Sequence, residues 1–124
     1  MRIVLAEREA ELMQVLWERG PSSVAEVQES LADPLAYTTV LTMLRKLEVK
    51  GYVRHAAQGR AHRFEAAVAR DAARRNALRD LARKLFKGST ELLLSHAVAD
   101  DELTPEQVKR IRLLLNRASK QGKP

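Results

Sequence analysis

Tyr37-Thr38-Thr39-Val40-Leu41-Thr42-Met43-Leu44-Arg45-Lys46-Leu47-Glu48-Val49-Lys50-Gly51 is the stretch on which the fold turns. Val40, Met43, Leu44 and Leu47 recur at i, i+3, i+4 and i+7, which places them on one side of a helix. Thr38, Thr39, Thr42, Arg45 and Lys46 fall on the opposite side. The spacing predicts a helix over 37–50, about 20 Å long at ~1.5 Å per residue. Gly51 suits the first position past a helix end, and Lys50 suits the negative end of the helix dipole. One flank of this helix is built for burial. The other carries hydroxyls and cations.

Past Gly51 the apolar period falls from about 3.6 to 2. Tyr52-Val53-Arg54-His55-Ala56 and Ala61-His62-Arg63-Phe64-Glu65 read as two strands, and Gln58-Gly59-Arg60 as the turn between them. Arg60 then lies at the tip of a basic hairpin. Upstream, Ala6 to Arg19 reads as a helix with Ala10, Met13, Leu16 and Trp17 on one stripe, ended by Gly20-Pro21. Trp17 is expected in the core. Ser22 or Ser23 can cap a second helix through Val24, Val27 and Leu31, which Asp33-Pro34 closes because the residue before proline leaves the helical region.

Downstream of Ala66 the composition turns to Ala, Arg and Leu. Residues 68–87 read as a helix with Leu78, Leu81, Leu85 and Phe86 as its stripe, broken by Gly88. A short apolar helix from Thr90 to Val98 follows, then an acidic loop, Asp100-Asp101-Glu102. Thr104-Pro105-Glu106-Gln107 combines a capping Thr, Pro at the first helical position and Gln at the third. Val108, Ile111, Leu114 and Leu115 form the last stripe, and 119–124 reads as a frayed tail.

Three helices and a hairpin within residues 1–66 are the order of a winged helix-turn-helix domain. The expected fold is therefore mainly α: a winged helix-turn-helix DNA-binding domain over 1–66, then a helical dimerisation domain over 67–124. A major groove admits one α-helix, which must be anchored on one flank and open on the other. The helix over 37–50 meets both demands. Thr38, Thr39, Thr42, Arg45 and Lys46, with Arg60 on the wing, are the candidate contacts to double-stranded DNA. In the second half, Leu92, Leu93 and Leu94 are consecutive and point around most of their helix, which therefore asks for burial on most sides. Folding back onto the N-terminal domain is one solution, and a second copy of the chain is the better one. It would also set two recognition helices ~34 Å apart, on successive major grooves. Leu78, Leu81, Leu85, Leu92, Leu93, Leu94, Ile111, Leu114 and Leu115 are the expected homodimer residues.

Charge follows the same division. The 124 residues carry a net charge of +6. Residues 1–44 hold three basic against seven acidic groups, net −4, whereas residues 45–63 hold six basic groups against Glu48, net +5. Residues 67–99 add seven basic and three acidic groups, net +4. An acidic segment followed by a basic one suits a domain that turns one face to phosphates. Cys is absent, which excludes disulfides, Cys-based metal sites and a Cys nucleophile. No apolar run approaches the ~20 residues of a membrane span, and the charged N-terminus lacks a secretory segment. The chain is expected in the cytoplasm. His55 and His62 can face each other across the wing, but two ligands do not make a zinc site. Ser95 and His96 are adjacent on a helix and diverge. No metal, cofactor or catalytic constellation is expected.

These residues resemble the BlaI/MecI penicillinase-repressor family, which includes the CopY-type copper repressors. The likeness runs through Glu9-Ala10-Glu11-Leu12-Met13 and Leu16-Trp17, then Tyr37 to Leu47, Lys50-Gly51-Tyr52-Val53, and Gly59-Arg60-Ala61-His62-Arg63-Phe64. It closes, more loosely, on Asp101-Glu102-Leu103-Thr104. The resemblance implies a homodimeric repressor of inverted-repeat operators with TACA and TGTA half-sites, with Thr39, Thr42 and Lys46 foremost in contact. At family level it also implies a membrane sensor metallopeptidase. Two features depart from the family. Penicillinase-type members are cleaved at an Asn-Phe bond, but Asn76 and Asn116 precede Ala77 and Arg117 here. Copper-responsive members sense through C-terminal cysteines, which this chain lacks. Two alternatives stand beside a repressor. One is a winged-helix module for a protein partner, to which Leu41 points. The other is a nonspecific DNA binder.

Overall fold

A computed structural model describes residues 5–59, 61–100 and 102–121. The elements are α1 (Glu7–Arg19), α2 (Val24–Ser30), α3 (Tyr37–Val49), β1 (Val53–Gln58), β2 (Ala61–Ala66), α4 (Arg70–Leu85), α5 (Thr90–Asp100) and α6 (Pro105–Gln121). Two compact units divide the chain, Met1–Asp80 and Leu81–Pro124. The expected boundary after residue 66 is thus displaced into α4. Trp17 Nε1 donates to the Val68 carbonyl at 2.9 Å, and Ala73 is buried in the first unit's core, so the start of α4 belongs to that unit.

The first unit has one core. Leu12, Met13 and Leu16 of α1 meet Val24 and Val27 of α2, Val40, Leu44 and Leu47 of α3, and Phe64 of the hairpin. Leu12 takes a central place on α1 that the expected stripe gave to Ala10 and Trp17, which are only half-buried. Each fully buried aliphatic side chain contributes about 1.5–3 kcal/mol, so this cluster dominates the unit's stability. Ser23 caps α2: its Oγ accepts the Glu26 N–H at 3.1 Å, and Glu26 Oε1 accepts the Ser23 N–H at 2.9 Å. Ser22 pairs instead with Phe64 through N–H···O bonds of 2.9 and 2.8 Å, a short bridge that holds the wing against the helices. α2 ends at Ser30, before Asp33-Pro34: Leu31 is already extended, and Gln28 Nε2 donates to the Leu35 carbonyl at 3.0 Å.

Gly51 ends α3 with φ 88. The Gly51 N–H donates to the Glu48 carbonyl and the Tyr52 N–H to the Leu47 carbonyl, so both orphan carbonyls are satisfied. Tyr52 then drops into the core and starts the wing. β1 and β2 pair antiparallel, with His55 opposite Phe64 and Ala57 opposite His62.

In the second unit, Thr104 and Gln107 form the expected reciprocal cap at 2.9 and 3.1 Å. Asp100 closes α5 rather than starting an acidic loop, and 119–121 extend α6 rather than fray. Leu93 is buried within the unit, and Ile111 is half-buried. Leu81, Leu85, Leu92, Leu94, Leu114 and Leu115 are exposed there, as is Leu78 at the end of the first unit. Among the described residues, no helix is long and apolar enough to cross a membrane.

Candidate nucleic-acid interface

The two flanks of α3 separate, with Met43 of the expected buried stripe only half-buried at the edge of the core. Val40, Leu44 and Leu47 are 0% exposed, while Thr38, Thr39, Thr42, Arg45 and Lys46 are all open to solvent. Thr42 donates its hydroxyl to the Thr38 carbonyl at 2.9 Å. That bond leaves the lone pairs of Thr42 Oγ1 free to accept and its methyl free for an apolar contact. Arg45 and Lys46 project as cations, with no salt bridge to either among the described residues. Arg60 lies outside the described residues.

The basic segment is less uniform than its sequence suggests. Lys50 Nζ lies 3.0 Å from Glu9 Oε2. Arg54 Nε lies 2.7 Å from Glu65 Oε1. Arg63 donates to the Pro21 carbonyl at 2.7 Å and faces Glu26 at 3.4 Å. These three cations are tied to the protein's own acceptors, which concentrates the unpaired charge of α3 on Arg45 and Lys46. No sequence pattern marks those partners, since Glu9 and Lys50 stand far apart in the chain. Burial alone would raise the Glu9 carboxyl, but the Ala6 N–H, the Lys50 ammonium and the charge of Lys46 together hold it below its ordinary value. The same carboxylate therefore joins the first turn of α1 to the end of α3.

The wing adds a second set of polar groups. Glu48 of α3 accepts both the backbone N–H and the ring Nδ1–H of His55. The His55 ring stacks on His62 with centroids 4.8 Å apart. Among the described residues, no group of three or more potential metal ligands converges. Between the start of α2, α3 and the wing lies a cleft of about 250 Å³ lined by Ser23, Val24, Ala25, Tyr37, Leu41, Arg45, Ala61, His62 and Phe64. Tyr37 and His62 carry no signal in their own positions; they become visible only when the helix and the strand are set side by side.

A family description, Penicillinase repressor, matches residues 5–117. The chain belongs to the penicillinase repressor family. Transcription regulation, repression and DNA binding go with that membership. Two Mycobacterium tuberculosis proteins described as transcriptional regulator BlaI, from strains CDC 1551 / Oshkosh and ATCC 25618 / H37Rv, are each 37% identical over 98 residues. That alignment covers 76% of this chain and 71% of theirs. A solved MarR family protein from Bacillus stearothermophilus superposes with a TM-score of 0.53 over 96% of this chain and 76% of its own, at 14% identity. That likeness speaks to the winged-helix fold alone. For a penicillinase repressor, the open flank of α3 is where DNA contact is sought first.

Proposed function

We propose that the chain is a homodimeric repressor that binds an inverted-repeat operator, each copy laying α3 in a major groove with its wing at the adjacent minor groove and its phosphates. The observation that carries this reading is the division of α3: Val40, Leu44 and Leu47 are wholly buried and Met43 half-buried on one flank, and Thr39, Thr42 and Lys46 stand open on the other. Anchoring on one side and exposure on the other are what groove insertion requires. The dimer is supported by the leucines left open on α5 and α6. Leu94, Ala97, Val98, Leu103, Ile111, Leu114 and Leu115 line an apolar groove of about 450 Å³ there. A surface of that kind suits a self-complementary partner. Such a repressor works in the cytoplasm. By family resemblance, a membrane sensor metallopeptidase is an expected partner, although the sequence holds no Asn-Phe bond of the kind cleaved in penicillinase-type members.

The test is fluorescence anisotropy against a duplex from upstream of the gene, starting with inverted TACA and TGTA half-sites, with a scrambled duplex beside it. The repressor reading expects a saturable complex that weakens steeply with salt. Thr42→Ala and Lys46→Ala should each cost about 1–3 kcal/mol if each removes a base contact. Unchanged affinity in both variants refutes the assignment of α3. Equal affinity for the scrambled duplex means a nonspecific binder, and no salt-dependent binding at all means a protein-partner module. Leu41, the residue that favoured a protein partner, packs partly against the core.

A further inference from the structure

We infer that the cleft between α3 and the wing is a seat for the sugar–phosphate strand that separates two DNA grooves, with Tyr37, Arg45 and His62 as its donors. The inference rests on α3 being the helix that enters the major groove. If it does, and the wing reaches the adjacent minor groove, one backbone strand must pass between them. The cleft of about 250 Å³ lies between these two elements, with the start of α2 at Ser23–Ala25 as a further side. Leu41 and Phe64 are among its apolar lining residues. Tyr37, Arg45 and His62 also line it, residues whose hydroxyl, guanidinium and imidazole can donate. Tyr37 is 49% exposed, which leaves its hydroxyl available to a ligand. No carboxylate lines the cleft among the described residues, so an anion meets no like charge there.

The position of His62 is itself held. Its ring lies against that of His55, tilted by 22° from parallel, and His55 leans on Phe64 at 5.4 Å on its other contact. Glu48 fixes His55 through its backbone N–H at 3.1 Å and through its ring. Glu48 is therefore a positioning residue: it acts on the phosphate seat through His55 and His62 without touching DNA. Contacts of this kind set register and affinity but carry no base information.

The prediction is a uniform loss. Tyr37→Phe and His62→Ala should weaken the upstream duplex and the scrambled duplex alike, each by about three- to tenfold, leaving their ratio intact. Arg45→Ala should lower the slope of log affinity against log salt by about one. Glu48→Ala should match His62→Ala and add nothing to it in the double variant, with thermal melts confirming that each variant is folded. A neutral methylphosphonate in the strand that crosses the cleft should erase the effect of His62→Ala. The inference is overturned if Tyr37→Phe and His62→Ala bind as wild type, if the ratio of the two duplexes changes, or if the methylphosphonate and His62→Ala add independently. Thr42→Ala and Lys46→Ala separate the two levels. If these also bind as wild type, the α3 reading has failed. If they weaken operator binding while the cleft variants do not, only the phosphate seat falls.

Discussion

Glu9 offers a prediction whose size can be worked from its contacts. The residue is 8% exposed, and its Oε1 accepts the Ala6 N–H at 3.0 Å. Both carboxylate oxygens face Lys50 Nζ, at 3.2 and 3.0 Å. The Ala6 bond satisfies an orphan donor at the start of α1 and is worth about 1 kcal/mol. The Lys50 side chain is 43% exposed, so solvent screens the ion pair, which adds about 0.5–1 kcal/mol. Glu9→Ala should therefore cost about 2 kcal/mol, lowering the midpoint of a thermal melt by roughly 8–15 °C for a unit of this size. Glu9→Gln keeps the oxygen that accepts from Ala6 and should cost about half as much.

Acid gives an independent check. The Glu9 carboxyl is held below its ordinary value of 4.5: burial opposes this, and Ala6, Lys50 and Lys46 outweigh burial. A group depressed in the folded state adds stability above its unfolded value and loses it as pH falls through the folded one. The gap between wild type and Glu9→Gln should thus be constant above about pH 5 and shrink below pH 4.5. Glu26 is also lowered, first by the Ser23 N–H and further by Arg19 and Arg63, but it is common to both proteins and cancels in the difference. Circular-dichroism melts from pH 7 to pH 3 measure this. A Glu9→Ala melt at pH 7 within ~0.5 kcal/mol of wild type, or a gap that widens in acid, would refute the reasoning.

Two further outcomes are expected. Gly51→Ala forces a side chain into φ 88 at the end of α3 and should destabilise the first unit by about 1–2 kcal/mol in urea titrations, an effect absent from Gly59→Ala only if the wing turn can relax. Leu94→Glu with Leu114→Glu places charge in the apolar groove of the second unit; light scattering should show a dimer for wild type and a monomer for the double variant, and operator affinity should fall with it.

Much of this architecture could be read along the chain, because it is encoded in short-range patterns. The buried flank of α3, the glycine that ends it, the change of period at the wing and the Thr104–Gln107 cap all depend on residues within a turn or two of each other. Two local signals competed at two points. Ser22 and Ser23 are equivalent as caps in sequence, and only the bridge to Phe64 assigns Ser22 elsewhere. Leu12 and Ala10 compete for the core side of α1, and the packing of α2 and α3 against it selects Leu12. The limits of α2 and α5 moved by a few residues, since helix ends are settled by caps and neighbours rather than by periodicity.

The candidate interface divides along the same line. By itself the sequence determined that α3 has an aliphatic flank and a hydroxyl-and-cation flank, because a period of 3.6 sorts side chains without help from the rest of the molecule. It could not determine which of the six cations between residues 45 and 63 remain available. Lys50, Arg54 and Arg63 are engaged by Glu9, Glu65 and the Pro21 carbonyl, groups that meet them only after the chain has folded. Nor could it place Tyr37 opposite His62. Charge pairing and clefts depend on distances across the fold, and those exist only once the helices and the wing have closed around their common core.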